Sequence, residues 1–353
     1  MKKIKVYMAI LLVVTILFAF VGCQPAPVKQ SENTSKPQEE ANKDGFVIAW
    51  SPLFLGNSWQ TQNWALAQEI AKNNPEIKEI ILANPDFNPE NQSNLIRNLI
   101  DKNVDAIIIQ AVSPTALVPA VEEAVEQGIV VIMQDCMVNS DKVTSKVYVD
   151  DNEWSKMTGQ WLVDKMGGKG KVIVLNGIAG NTTNQGRWTE AEKILKSTPG
   201  VEVLAEANCD WEKAKAQATV ANWLTAYPKI DGVWSQGGEM TAGTIDEFKK
   251  VKRPLVPMVG EAYNGFLKMW KQSKNEGFTS IAPSLPCYNV QISLELALRA
   301  LKGQEVPKTV VVPLPLVTDD NLDQYIKEDK PDDYWVFDEI SQEEVNKIID
   351  SAK

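Results

Sequence analysis

From Phe46 onward, short apolar runs alternate with segments whose apolar positions repeat at helical spacing. A first series reads FVIAW (46–50), IKEIILA (77–83), DAIIIQA (105–111) and IVVIMQD (129–135). A second reads KVIVL (171–175), VEVLAEA (201–207), GVWSQ (232–236) and LVPMVGE (255–261). Segments such as SWQTQNWALAQEIAKN (58–73) and SPTALVPAVEEAVEQ (113–127) follow members of the first series and carry an apolar helical face. Continuous apolar strands are buried on both sides, and their alternation with helices makes the sheets parallel. The pattern therefore predicts an α/β protein built as two similar doubly wound parallel-sheet lobes.

Three extended runs fit neither series: KVYVDD (146–151), TSIAPSLP (279–286) and TVVVPLPLV (309–317). They read as the chain crossing between lobes, a three-crossing hinge that bends without letting the lobes part. This assigns residues 46–149 plus 284–313 to an N-terminal lobe and 150–283 plus 314–353 to a C-terminal lobe.

The N-terminus has a different character. Lys2, Lys3 and Lys5 precede an apolar segment from Val6 to Val21, the pattern of a secretory signal covering residues 1–22. Gly22 directly before Cys23 resembles a bacterial lipobox, with Phe20 where leucine usually stands. That resemblance implies lipidation at Cys23 and an extracytoplasmic chain anchored to the bacterial cell membrane. Residues 23–45 are rich in Pro, Ser, Gln, Glu and Lys and have almost nothing to bury, so they read as a disordered tether.

Charge and composition then narrow the function. The chain carries 36 basic and 46 acidic residues, a net charge of −10. Loss of the three signal lysines leaves 33 against 46, or −13. Such a surface gains nothing from nucleic acid. Besides Cys23, only Cys136, Cys209 and Cys287 remain, without a CxxC pair, so stability rests on a large core rather than a disulfide framework. There is no histidine, which removes His-based triads and most zinc chemistry. A two-carboxylate glycosidase stays open. TDDNLD (318–323) lacks the glycine and ligand spacing of a calcium loop, and with KEDKPDD (327–333) it reads as solvated loop.

In open α/β sheets ligands lie beyond the carboxyl ends of the strands. Those ends carry Asn57 with Trp59, Gln110, Asp135, the NGIAGN loop with Arg187, Trp211, Gln236, and Glu261 with Asn264. Both series contribute, which predicts a cleft between lobes. Trp59 and Trp211 offer faces to the C–H side of a sugar ring. Asp135 and Glu261 accept, Arg187 donates as a fork, and the four amides do both. NGIAGNTTNQGRW (176–188) is neither GxGxxG nor GxxxxGK[ST], so a nucleotide is not indicated. The other tryptophans considered, including Trp50, Trp64, Trp154, Trp161, Trp223, Trp234 and Trp270, read as packing residues. Only one of the neighbours Arg187 and Trp188 is expected to face the cleft.

The order and spacing of these motifs, over residues 46–318, resemble the ribose-binding, type I periplasmic binding proteins of ABC sugar importers. GIAG (177–180) followed by Arg187 is similar to the family's loop and sugar-contacting arginine. IVVIMQD resembles its strand ending in a ligand-binding aspartate, and NCDWEKAKAQ (208–217) its Asp-aromatic segment with Trp211 as the stacking ring. Three departures stand out: Gly237-Gly238 replaces Asn-Asp, Cys136 replaces an arginine, and GEAYNGF (260–266) lacks the aspartate after glycine. The glycine pair removes a polar contact and is expected to open space for a differently placed or larger ligand.

The resemblance implies a receptor, not an enzyme, needing no cofactor or metal. It closes on a sugar or polyol and delivers it, as a monomer, to the transmembrane subunits of an ABC permease. The alternatives are a ligand-sensing subunit for a membrane signalling receptor and the glycosidase.

Overall fold

A computed structural model of the protein describes residues 45–352. The signal segment, Cys23 and the tether up to residue 44 lie outside them.

The first four apolar runs form β1 (Phe46–Ser51), β2 (Ile77–Leu82), β3 (Ala106–Ile109) and β4 (Val130–Gln134), followed by β5 (Ser145–Tyr148). The second half supplies β6 (Lys169–Asn176), β7 (Gly200–Asn208), β8 (Gly232–Ser235), β9 (Met258–Val259) and β10 (Ser280–Pro283). Two short strands, β11 (Thr309–Val311) and β12 (Leu316–Val317), complete the set. The helices of the first half are α1 (Ser58–Asn73), α2 (Pro89–Asp101) and α3 (Val118–Glu126). Those of the second are α4 (Asp151–Lys165), α5 (Thr182–Ser197), α6 (Lys213–Ala226), α7 (Gly238–Lys250) and α8 (Asn264–Ser273). Then come α9 (Asn289–Leu301), the single-turn α10 (Leu322–Tyr325) and α11 (Gln342–Ser351).

The strands make two six-stranded sheets, ordered β11-β5-β4-β3-β1-β2 and β12-β10-β9-β8-β6-β7. The two orders match position for position. All pairs are parallel except β10 with β12. Each sheet is covered on both faces, with Ile48, Trp50 and Ile108 on one side of the first and Ala49, Ile107 and Ile109 on the other. Ile173 and Leu175 divide from Val172 and Val174 in the same way in the second. This is why the central runs show no polar alternation, while the edge strands β2 and β7 keep Lys78, Glu79, Glu202 and Glu206 exposed.

The chain leaves the first sheet after β5, returns after β10 so that α9 covers β3, β4 and β5, and leaves again between β11 and β12. The C-terminal segment departs from the sequence expectation. Val345 and Ile349 of α11 enter the core of the first lobe, and Arg299 of α9 bonds Asn346 and Asp350. Residues from 342 on thus pack with the N-terminal lobe, because the apolar face of α11 complements α9.

Candidate functional site

In each sheet the strand order reverses beside the strand that opens its half, β1 with β3 and β6 with β8. The crevice beyond such a switch point is where loops diverge and leave room. In both lobes that crevice faces the same cavity.

The N-terminal lobe contributes the turn after β1 and the ends of β3 and β4. Asn57 caps α1, its Oδ1 accepting from Gln60 N at 3.0 Å, which fixes the first turn and places Trp59 and Gln60. The Trp59 indole donates to Leu285 O at 3.1 Å, and its ring joins the core of the opposite lobe. Gln110 accepts from Gln60 Nε2 at 2.8 Å and from Leu53 N, and donates to Asp135 Oδ2 at 3.1 Å. Asp135, 5 % exposed with φ of 58°, also receives Gln134 Nε2 at 3.1 Å and Asn289 Nδ2 at 2.6 Å. Burial pushes its carboxyl up to about 6 despite these amides.

The C-terminal lobe contributes the ends of β6, β7, β8 and β9. Asn181 caps α5 through Thr183 N and Asn184 N, which orients Thr183 and Arg187 on the helix face toward the cleft. Arg187 is buried and clamped: Nε meets Asp151 at 3.2 Å, Nη1 donates to Gln236 O at 2.8 Å, and Nη2 lies 3.1 Å from Glu261. Its guanidinium sits 4.9 Å from the Trp154 ring centroid, a cation–π contact. Burial raises the Asp151 carboxyl to about 7, with Arg187 opposing and Asp135 and Glu261 adding to the rise. The Glu261 carboxyl is raised by burial too. Trp211 holds φ of 57° immediately after Asp210 at 54°. Its ring lies flat against Gly177, where a Cβ would come within 2.2 Å; only glycine admits it.

Between these walls lies a cavity of about 550 Å³, counting its open mouth. Trp59, Trp211, Phe54 and Trp335 supply aromatic surface; Gln60, Gln110, Asp135, Arg187 and Glu261 supply polar groups. The lobes touch beside it. Cys136 contacts Asn181 and Thr183, Met137 N donates to Thr182 Oγ1 at 3.1 Å, and Ser58 bonds Glu239. Three buried polar atoms of the lining, Gln60 Oε1, Arg187 Nη2 and Trp211 Nε1, have no hydrogen-bond partner among the described residues. Nη2 has Glu261 within ion-pair reach but out of hydrogen-bond alignment. Orphaned groups of this kind are where a ligand's hydroxyls would be received.

Of the nine residues selected from the sequence, Asn57, Trp59, Gln110, Asp135, Arg187, Trp211 and Glu261 line this cavity. Gln236 and Asn264 do not. The Gln236 amide donates to Asn176 Oδ1 and Asn184 O, tying the ends of β8 and β6 to α5, while its carbonyl holds Arg187. Asn264 binds the carbonyls of Lys327, Lys330 and Pro331, so part of KEDKPDD is anchored rather than freely solvated. In TDDNLD, Asp319 accepts from the Trp270 indole at 2.9 Å and likewise has a structural use. The space left by the glycine pair is filled by protein. Trp211 and Glu261 abut Gly237, and Glu261 O and Tyr263 Cβ lie 2.5 Å from a Cβ placed on Gly238. Trp188 turns inward to pack on Trp234, leaving Arg187 to the cleft.

Sequence reasoning missed Leu53, Phe54, Gln60, Cys136, Thr183, Leu285 and Trp335 among the lining residues. Thr183, four before Arg187 on α5, was reachable by helical spacing, whereas Gln60, adjacent to Trp59, was not. Trp335 lies on a late loop that no strand end predicts, and its indole donates to Ser58 Oγ at 2.8 Å.

Residues 48–305 match the family model described as a periplasmic binding protein domain. A xylitol-binding protein of Mycolicibacterium smegmatis is 30% identical over 239 residues, 67% of each chain. A ribose import binding protein of Bacillus subtilis is 24% identical over 302 residues, 86% of this chain and 95% of its own. Among solved structures, an ABC transporter solute binding protein from Thermobispora bispora superposes with a TM-score of 0.77 at 25% identity. That likeness covers 87% of this chain and 95% of the other.

Proposed function

Because this chain belongs to the periplasmic binding protein domain family, we propose that it captures a small sugar or polyol between its lobes and delivers it to an ABC permease. The observation that carries the reading is the shared cavity: matching strand ends of two matching sheets meet there, with aromatic walls and orphaned polar atoms among the lining groups. Trp59 and Trp211 stack on the ligand's carbon face, while Asp135, Gln110, Arg187, Glu261 and Asn57 meet its hydroxyls. The xylitol-binding and ribose-import relatives support this chemistry. Contacts from both lobes exist only when they are closed, so ligand shifts the open–closed equilibrium toward closure. No bond is made or broken. Asp135 is held by three amide donors and Glu261 faces Arg187, an arrangement that favours holding a ligand over hydrolysing one. The protein acts outside the cytoplasm; lipidation at Cys23 anchors it, and it works as a monomer. No described helix is long and apolar enough to cross a membrane.

A thermal-shift screen of the purified protein against monosaccharides, alditols, inositols and nucleosides tests this. A ligand at a hundred times its Kd stabilises the fold by about 2.7 kcal/mol. One or a few polyhydroxylated compounds should do so. Stabilisation by nucleosides alone, or by nothing in the panel, overturns the proposal.

A further inference from the structure

The charges around the cavity do not balance. Asp135, Asp151 and Glu261 are buried or nearly so, and one cation, Arg187, faces them. Arg187 is already engaged on both sides, by Asp151 through Nε and by Glu261 beside Nη2. Asp135 has neutral amides only, from Gln110, Gln134 and Asn289, and no described lysine or arginine within 4.0 Å. The next residue, Cys136, adds no charge, since burial lifts its thiol to about 12. A buried carboxylate is costly unless a cation compensates it. The cavity that Asp135 lines also carries Phe54, Trp59, Trp211 and Trp335, and aromatic faces attract cations.

We infer that the ligand carries an ammonium group: it is an amino-substituted sugar or polyol whose nitrogen pairs with Asp135 among these rings. The inference rests on the sugar-or-polyol reading above and narrows it. The hydroxyls meet Gln60 Oε1 and the Trp211 indole, which have no hydrogen-bond partner among the described residues, and Arg187 Nη2 beside Glu261. The ammonium supplies the charge the lining lacks. The upward shift of the Asp135 carboxyl has the same origin, burial that the three amides and the more distant Arg187 offset only in part.

The test is calorimetric titration of the purified protein at pH 7.5 with matched pairs: glucosamine and glucose, galactosamine and galactose, mannosamine and mannose, an inosamine and its inositol. N-acetylated hexosamines serve as neutral controls. In at least one pair the amine should bind tenfold or more tightly than its parent and than its N-acetyl form. Asp135→Asn should abolish that preference; a preference that survives it overturns the assignment to Asp135. A parent that equals or exceeds its amine overturns the inference and leaves the sugar-or-polyol reading standing. Silence from every member of every pair overturns both.

Discussion

Trp211 holds a left-handed backbone that bulky side chains rarely adopt, at a cost of order 1–3 kcal/mol. The surroundings enforce it, since its ring has Gly177 beneath and Gly237 beside it. Gly177→Ala would therefore push the ring into the cavity. The expected outcome is a stability loss of about 1–3 kcal/mol in chemical denaturation, with ligand affinity reduced tenfold or more in titration. Asp135 and Asp151 make a second residue-scale prediction. Their carboxyls are raised to about 6 and about 7, so between about pH 4 and 7 the folded state holds more protons than the unfolded chain. Stability from these groups is greatest at low pH and falls as pH rises through that window. Asp135→Asn removes one of them. The melting temperature of the wild type minus that of the variant should shrink between pH 5 and pH 8; a constant difference would contradict the burial argument. At this scale seven of the nine residues selected from the sequence line the cavity, because a strand end fixes where the next side chains point. Gln236 and Asn264 were not separable from them, since a buried amide at a strand end ties backbone as readily as it binds a ligand.

Among the elements, α5 links fold to site. Asn181 closes its N-terminus and its Nδ2 also reaches Cys136 Sγ at 3.2 Å. Asn181→Ala should cost about 0.5–2 kcal/mol and, by loosening the first turn, reduce ligand affinity as well. The C-terminal α11 begins with a reciprocal Ser341–Glu344 capping box and packs on α9. Ending the chain at residue 340 should expose the apolar surface of α9 and lower the melting temperature, with losses in hydrogen-exchange protection concentrated in α9 and β4. Protection lost chiefly in the second lobe would contradict this packing. The strands and the paired lobes were legible because their apolar runs are continuous. The docking of α11 was not, because an amphipathic helix declares that it packs and not upon which lobe. Trp335 escaped for a related reason: it belongs to no periodic segment.

For the molecule as a whole, the lobes meet beside the cavity through contacts that a parting of the lobes would break. Cys136 Sγ lies 3.6 Å from Thr183 Oγ1 across the cleft, near enough for Thr183→Cys to form a disulfide after modest adjustment. Oxidised, that variant should exchange ligand far more slowly than when reduced, as measured by dissociation of a bound ligand. Equal rates would mean that entry does not require these lobes to part. The binding claim itself is tested most directly by isothermal titration of one stabilising sugar, polyol or amino derivative into the wild type and Trp211→Ala. One ligand per chain and an affinity loss of tenfold or more in the variant are predicted; undiminished affinity in Trp211→Ala would place the ligand somewhere other than this cavity.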